Sequence, residues 1–163
     1  MTSLMLSTIW MPPAEELARL GPLWCLAATI VAILVGALVV GRNWRVSGLL
    51  AIVGGLLTAW LCAWNFSQPS MWAGLAPLAQ SPMLVVDSLS NFFIFLISVF
   101  LVLVTGMWFV GQGSDLAGTR THRQDAVEFF VLFVGSAFGM ALMVSTTNLL
   151  MIVLAVETAS LPS

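Results

Sequence analysis

The stretch Thr146-Thr-Asn148-Leu-Leu-Met-Ile-Val-Leu-Ala-Val-Glu157-Thr-Ala-Ser160-Leu-Pro-Ser163 decides how the chain is read. Residues 149 to 156 are all Leu, Met, Ile, Val or Ala, and a carboxylate follows them. A helix starting near Asn148 rises about 1.5 Å per residue, so Glu157 lies roughly 13 Å along it. A hydrocarbon layer is about 30 Å thick, which puts that depth near its middle. An ionisable group there costs at least about 2.5 kcal/mol, and such groups mark ion and proton pathways. Glu157 is therefore the first candidate site.

Composition agrees with residence in a membrane. The 163 residues are 60% hydrophobic and 7% charged, against about 25% charged in an ordinary soluble domain. Mean hydropathy is +1.06. The few charged side chains cannot cover a water-soluble domain of this size. All five basic residues are Arg, and the net charge of −2 matters less than where the charges fall. Cys25 and Cys62 lie inside apolar runs and read as buried free thiols, with no metal or redox compartment implied. Residues 1–21 form a lead-in segment. It has no basic region ahead of an apolar one and no small-residue cleavage site before a polar mature start, so it does not read as a signal peptide.

The pattern predicts an all-α integral membrane protein with about five transmembrane helices, over 22–41, 46–66, 89–110, 126–146 and an incomplete 148–163. Ala28, Ala32 and Gly36 form a small-residue stripe on the first helix, and Ala51 and Gly55 one on the second. Gly135 and Gly139 make a GxxxG pair on the fourth; such stripes let helices approach closely. The 67–88 connection carries Pro69, Pro77 and Pro82 and is not one continuous helix. Asp87 and Ser88 are N-cap candidates for the third helix. A loop is expected over 111–124. The fifth helix has about 16 residues where a span needs about 20. Pro162 also removes the N–H that would bond the Thr158 carbonyl. The chain is accordingly expected to be the front part of a longer one or a truncated product, with a terminus buried against partner helices as the alternative.

Arg42 and Arg45 lie between the first two helices, and Arg120 and Arg123 between the third and fourth. Short basic loops stay in the cytoplasm, so the N-terminus and the 67–88 connection are expected outside, with the fifth helix entering from there. Trp24, Trp44, Trp60, Trp64 and Trp108 fall near helix ends, as interfacial anchors do.

Glu157 has two readings: proton or cation handling, or a neutral acid hydrogen-bonded to a neighbour such as Ser160 on the same face. Desolvation raises a carboxyl group's proton affinity and a nearby cation lowers it, so a carboxyl whose cationic partner comes and goes can act as a gate. Every Arg lies in a loop or the lead-in, so an intramembrane cation must come from another segment or subunit. Glu128 and Asp125 open the fourth helix, where acids favour the helix dipole; Glu128 is also a candidate proton entrance. Asp87 reads as a cap outside the membrane, and His122 as a solvated loop residue. Gly111-Gln-Gly113 lacks the strand and third glycine of a phosphate loop. Asn65-Phe66-Ser67 matches a glycosylation acceptor, but so short a pattern carries no weight. The sequence holds no metal-ligand spacing, catalytic triad, dinucleotide fingerprint or nucleic-acid-binding patch.

Glu128-Phe-Phe-Val-Leu-Phe, Gly139-Met-Ala-Leu-Met, Thr147-Asn-Leu-Leu and Val156-Glu157-Thr-Ala-Ser160-Leu161-Pro-Ser resemble helices four and five of subunit N of the proton-pumping NADH:quinone oxidoreductase, respiratory complex I. Asp87-Ser-Leu-Ser-Asn-Phe-Phe fits the same family, and the resemblance covers about 84–163. Looser forms of the Glu-x-x-Ser-Leu element occur in other antiporter-like subunits and in multisubunit cation/proton antiporters. The resemblance implies a membrane-arm subunit in the bacterial inner membrane rather than an organellar one. Its partners would be the other membrane-arm subunits, and it would take part in proton translocation coupled to quinone reduction. Glu157 matches the family glutamate that pairs with a lysine on a later helix. The family's flavin, iron–sulfur and quinone chemistry lies in other subunits, so no cofactor is expected here. Full-length members have about fourteen helices, and this sequence ends within the fifth. A cation/proton antiporter subunit, a membrane hydrogenase subunit and a non-transporting scaffold or fragment are the alternatives. A five-helix piece alone leaves its small-residue stripes unpartnered and is expected to be unstable outside a complex.

Overall fold

The structure, a computed structural model, describes residues 20–40, 43–67, 87–112 and 126–160. These form five helices: α1 (Gly21–Val39), α2 (Trp44–Phe66), α3 (Ser88–Gln112), α4 (Ala126–Ser145) and α5 (Leu149–Ser160). The all-helical class is as expected, and α1 to α4 are each long and apolar enough to cross a bilayer. α5 has 12 residues and falls short of that length. Pro69, Pro77, Pro82, Pro162, Asp125, His122 and every Arg except Arg45 lie outside the described residues, as does the expected 1–19 part of the lead-in.

Helix ends follow local chemistry. Pro22 sits in the first turn of α1, where its missing N–H has no helical partner to lose. Asp87 Oδ1 accepts the N–H of Ser90 at 2.8 Å, the expected cap of α3. Asn148 Oδ1 accepts the N–H of Leu150 at 3.0 Å and starts α5 in the same way. α3 runs on through Gln112 rather than ending before the expected loop at Gly111. One glycine costs a long helix only about 1 kcal/mol, and that does not stop it.

α1 to α4 pack as a ring of antiparallel neighbours with α2 also touching α4, and α5 lies against α4. α2 is the hub. Its buried residues are Ser47, Gly48, Ala51, Gly54, Gly55, Thr58, Cys62 and Asn65, nearly all small. Small residues bring helix backbones close where lipid offers no hydrophobic drive to pack. A Cβ at Gly55 would meet Leu101 and Val102 of α3 at 3.0 and 2.8 Å, and one at Gly48 would press on Phe109 and Phe130. Gly54 receives the Thr29 side chain of α1.

Of the stripe expected on α1, Gly36 meets α2, with Leu50 at 3.0 Å from its Cβ position. Ala28 is exposed and Ala32 half-buried, and both line an open groove of about 220 Å³ beside Thr29 and Gly54. Thr29 also meets α2, and its own hydroxyl is satisfied within α1, donating to the Cys25 carbonyl at 2.7 Å. It can then pack as a small apolar group.

Other buried hydroxyls follow the same rule. Thr58 donates to Gly54, Ser98 to Ile94 and Thr105 to Leu101, each at 2.8 Å, and Ser145 to Ala141 at 2.7 Å. Two polar side chains instead cross between helices at the start of α3. Ser90 Oγ donates to the Val144 carbonyl of α4 at 2.7 Å. Asn91 Nδ2 donates to the Cys62 carbonyl of α2 at 2.9 Å. Cys25 and Cys62 are both free thiols; Cys62 is buried and Cys25 half-buried.

The tryptophans divide into two groups. Trp24, Trp60 and Trp64 are largely exposed, as interfacial anchors are. Trp44 and Trp108 do more: their rings meet edge to face at 5.3 Å, and Trp108 meets Phe130 at 5.0 Å. This joins α2, α3 and α4 at one end of the bundle, and the Arg45 guanidinium stands 5.3 Å over the Trp44 ring.

Candidate functional site

The site is the α4–α5 hairpin. Thr146 to Asn148 make the turn, with the Asn148 N–H donating to Thr146 Oγ1 at 3.2 Å. α5 then runs back along α4. The two helices touch most closely at Gly139, where a Cβ would lie 2.7 Å from the Ala159 nitrogen and 3.0 Å from the Ala155 carbonyl. Three residues away, Ser136 Oγ donates to the Ala159 carbonyl at 3.1 Å. Of the expected GxxxG pair, only Gly139 makes this contact. A Cβ at Gly135 would meet nothing within 4 Å.

Two geometric facts about Glu157 follow. Ser136 stands at the midpoint of α4 and is bonded to Ala159, so Glu157 is level with the middle third of the bundle. Successive helix residues turn by about 100°, so Glu157 is about 200° from both Ala155 and Ala159. Those two face α4; Glu157 points away from it and is exposed. Leu150, Val153 and Leu154 share its open face and are each more than half exposed. Among the described residues, no hydrogen bond or ion pair reaches the Glu157 carboxylate.

Ser160 is on the same side, but the bond it makes to Glu157 is to the main chain. Its Oγ donates to the Glu157 carbonyl at 3.0 Å. The neutral acid hydrogen-bonded through Ser160 is therefore not the arrangement found. The Ser160 hydroxyl serves a carbonyl in the last turn of α5, where helical partners run out. Thr158 does likewise for Leu154 at 2.8 Å.

Glu128 is exposed in the first turn of α4, at the end of the bundle that holds the aromatic cluster. About eight residues of α4 separate it from Ser136, or roughly 12 Å of rise. The structure does not bring Glu128 and Glu157 into contact. Asp87 is committed to capping at the opposite end. Among the described residues, no group of three or more His, Cys, Asp or Glu could hold a metal ion.

Ser136 and Asn91 were not singled out in the sequence. Ser136 lies inside the Gly135–Gly139 motif, and a hydroxyl beside a close-contact glycine is the signal that identifies it. Asn91 is an amide four residues after the capping Asp87, which reads as helix-start polarity. In the folded chain it is completely buried, and its Oδ1 has no hydrogen-bond partner. Set against known protein families, curated proteins and solved structures, the chain matches none of them.

Proposed function

We propose that this chain is a membrane-arm component of a proton-translocating assembly, of the subunit N type of NADH:quinone oxidoreductase, with Glu157 as its proton-carrying group. The observation that carries the reading is the place of Glu157. It is a carboxyl group at mid-bundle depth on an apolar helix, turned away from its only close neighbour among the described residues. A carboxyl there is too costly to serve packing. Its open face is flanked by Leu150, Val153 and Leu154, which suits contact with another helix. The occupant in this reading is a helix carrying a basic residue at the same depth. Its approach and withdrawal would change the proton affinity of Glu157, since a nearby cation favours the ionised carboxylate. Glu128 would sit at the cytoplasmic mouth, and the chain would lie in the bacterial inner membrane with its N-terminus outside. Electron transfer would belong to the partners, with no cofactor held here.

The family assignment is tested by assembly. An affinity-tagged copy expressed in its native membrane should migrate on a native gel with NADH-oxidising activity. Migration only with a cation/proton antiporter complex, or as an isolated species, would contradict it.

A further inference from the structure

We propose that Ser136 is a positioning residue: its bond to Ala159, with the close contact at Gly139, sets the rotation of α5 so that Glu157 faces away from α4. The functional meaning of that rotation rests on the proton-carrying role of Glu157, but the rotation itself does not.

α5 is the least embedded of the helices. Ala155 is its only fully buried residue, and α4 is its main neighbour. A short helix held along one side can turn about its own axis unless something marks the angle. Two features do so. At Gly139 the α4 backbone lies against Ala155 and Ala159, and a Cβ there would stand 2.7 Å from the Ala159 nitrogen. Only the small residues of α5 fit against that spot. The Ser136 hydroxyl then reaches the Ala159 carbonyl at 3.1 Å.

The bond differs from most serine and threonine bonds of the bundle; among the described residues Ser90 also crosses, from the start of α3 to Val144 at the end of α4. Thr58, Ser98, Thr105 and Ser145 each donate to a carbonyl of their own helix, and these leave inter-helix angles untouched. Ser136 crosses to another helix and does so at mid-bundle depth, two residues from Glu157. Turning α5 by one residue, about 100°, would break that bond and swing Val156 or Thr158 toward Gly139. Both branch at Cβ and are bulkier than alanine, so the close approach would be lost. The glycine excludes wrong rotations and the serine selects the right one.

The test reads rotation directly. In the full chain in lipid bilayers, with Cys25→Ala and Cys62→Ala, a spin label at Glu157→Cys reports oxygen accessibility, and a label at Ile152→Cys on the half-buried side serves as reference. The 157-to-152 accessibility ratio should be high when Ser136 is present. Ser136→Ala should raise the population of rotated conformers about threefold, the scale of one inter-helix hydrogen bond in a membrane, and lower the ratio. Ser136→Thr, which keeps the hydroxyl, should restore it, and Gly139→Leu should bring it close to unity. A ratio unchanged in Ser136→Ala with helix content preserved would overturn the proposal, as would failure of Thr to restore it. In the assembled complex with Glu157 intact, Ser136→Ala should shift the pH profile of proton-coupled turnover and Ser136→Thr should not. If the ratios respond and the pH profile does not, rotation is set by Ser136 and the proton-carrying reading of Glu157 is what fails.

Discussion

Single atoms decide much of this structure, and Asn91 shows how. Its amide nitrogen ties α3 to the Cys62 carbonyl of α2, while its buried Oδ1 goes without a partner. The bond gains little, about 0.6 kcal/mol for an average inter-helix bond in a membrane, and the orphaned acceptor costs about 1–3 kcal/mol. Asn91→Ala removes both, a net relief of about 0.4–2.4 kcal/mol before the cost of the cavity it leaves, and should not destabilise by more than about 1 kcal/mol. Asn91→Asp keeps the acceptor and replaces the donor with a buried carboxyl facing a carbonyl, so it should be the more damaging by about 2 kcal/mol or more. Thermal unfolding of the two variants in one detergent checks the order. The two glycines of α4 give a second contrast. Gly135→Ala meets open space and should be neutral within about 0.5 kcal/mol, whereas Gly139→Ala presses on the Ala159 main chain and should cost about 1–3 kcal/mol. The spacing of this pair was legible in the sequence; which member would make the contact was not. That depends on where along α4 the second helix comes close, which has no local signature.

At the scale of elements, the helices themselves were readable because apolar length and polar turns suffice to define them. Asp87 and Asn148 cap α3 and α5 where the sequence pattern placed helix starts. Packing faces were less legible. Every face of these helices is apolar, so the alternation that marks a buried side in a soluble protein is missing. The Ala28–Ala32–Gly36 stripe was legible, and Gly36 meets α2, but the contact of Thr29 with Gly54 was not, since it depends on a hydroxyl satisfied internally. The tryptophans were legible as end markers, but the Trp44–Trp108–Phe130 cluster was not, since it needs three helices to converge. That cluster predicts a difference between tryptophans. Trp108→Ala removes a half-buried ring that joins α3 to two neighbours and should destabilise the bundle by about 3 kcal/mol. Trp24→Ala removes a ring that is 62% exposed and should cost less than about 1 kcal/mol. Unfolding by titrated denaturant in mixed micelles separates the two.

The described residues form a ring of four antiparallel helices with a fifth laid along its outside. The ring is complete in its contacts; the fifth helix is covered on the α4 side and open on the other. The carboxyl group lies on that open side at mid-bundle depth. Its depth was readable from Asn148 and nine residues of helix. Its direction was not, because it depends on Gly139 and Ser136 across the interface. The central claim is that Glu157 carries protons, and the most direct measurement is the ratio of protons moved to electrons passed. Sealed membrane vesicles holding the assembled complex would be compared for the native chain, Glu157→Asp and Glu157→Gln, with NADH as donor. Glu157→Gln should lower the ratio or stop turnover while assembly is normal, and Glu157→Asp should retain part of it. An unchanged ratio and rate in a normally assembled Glu157→Gln complex would contradict the account.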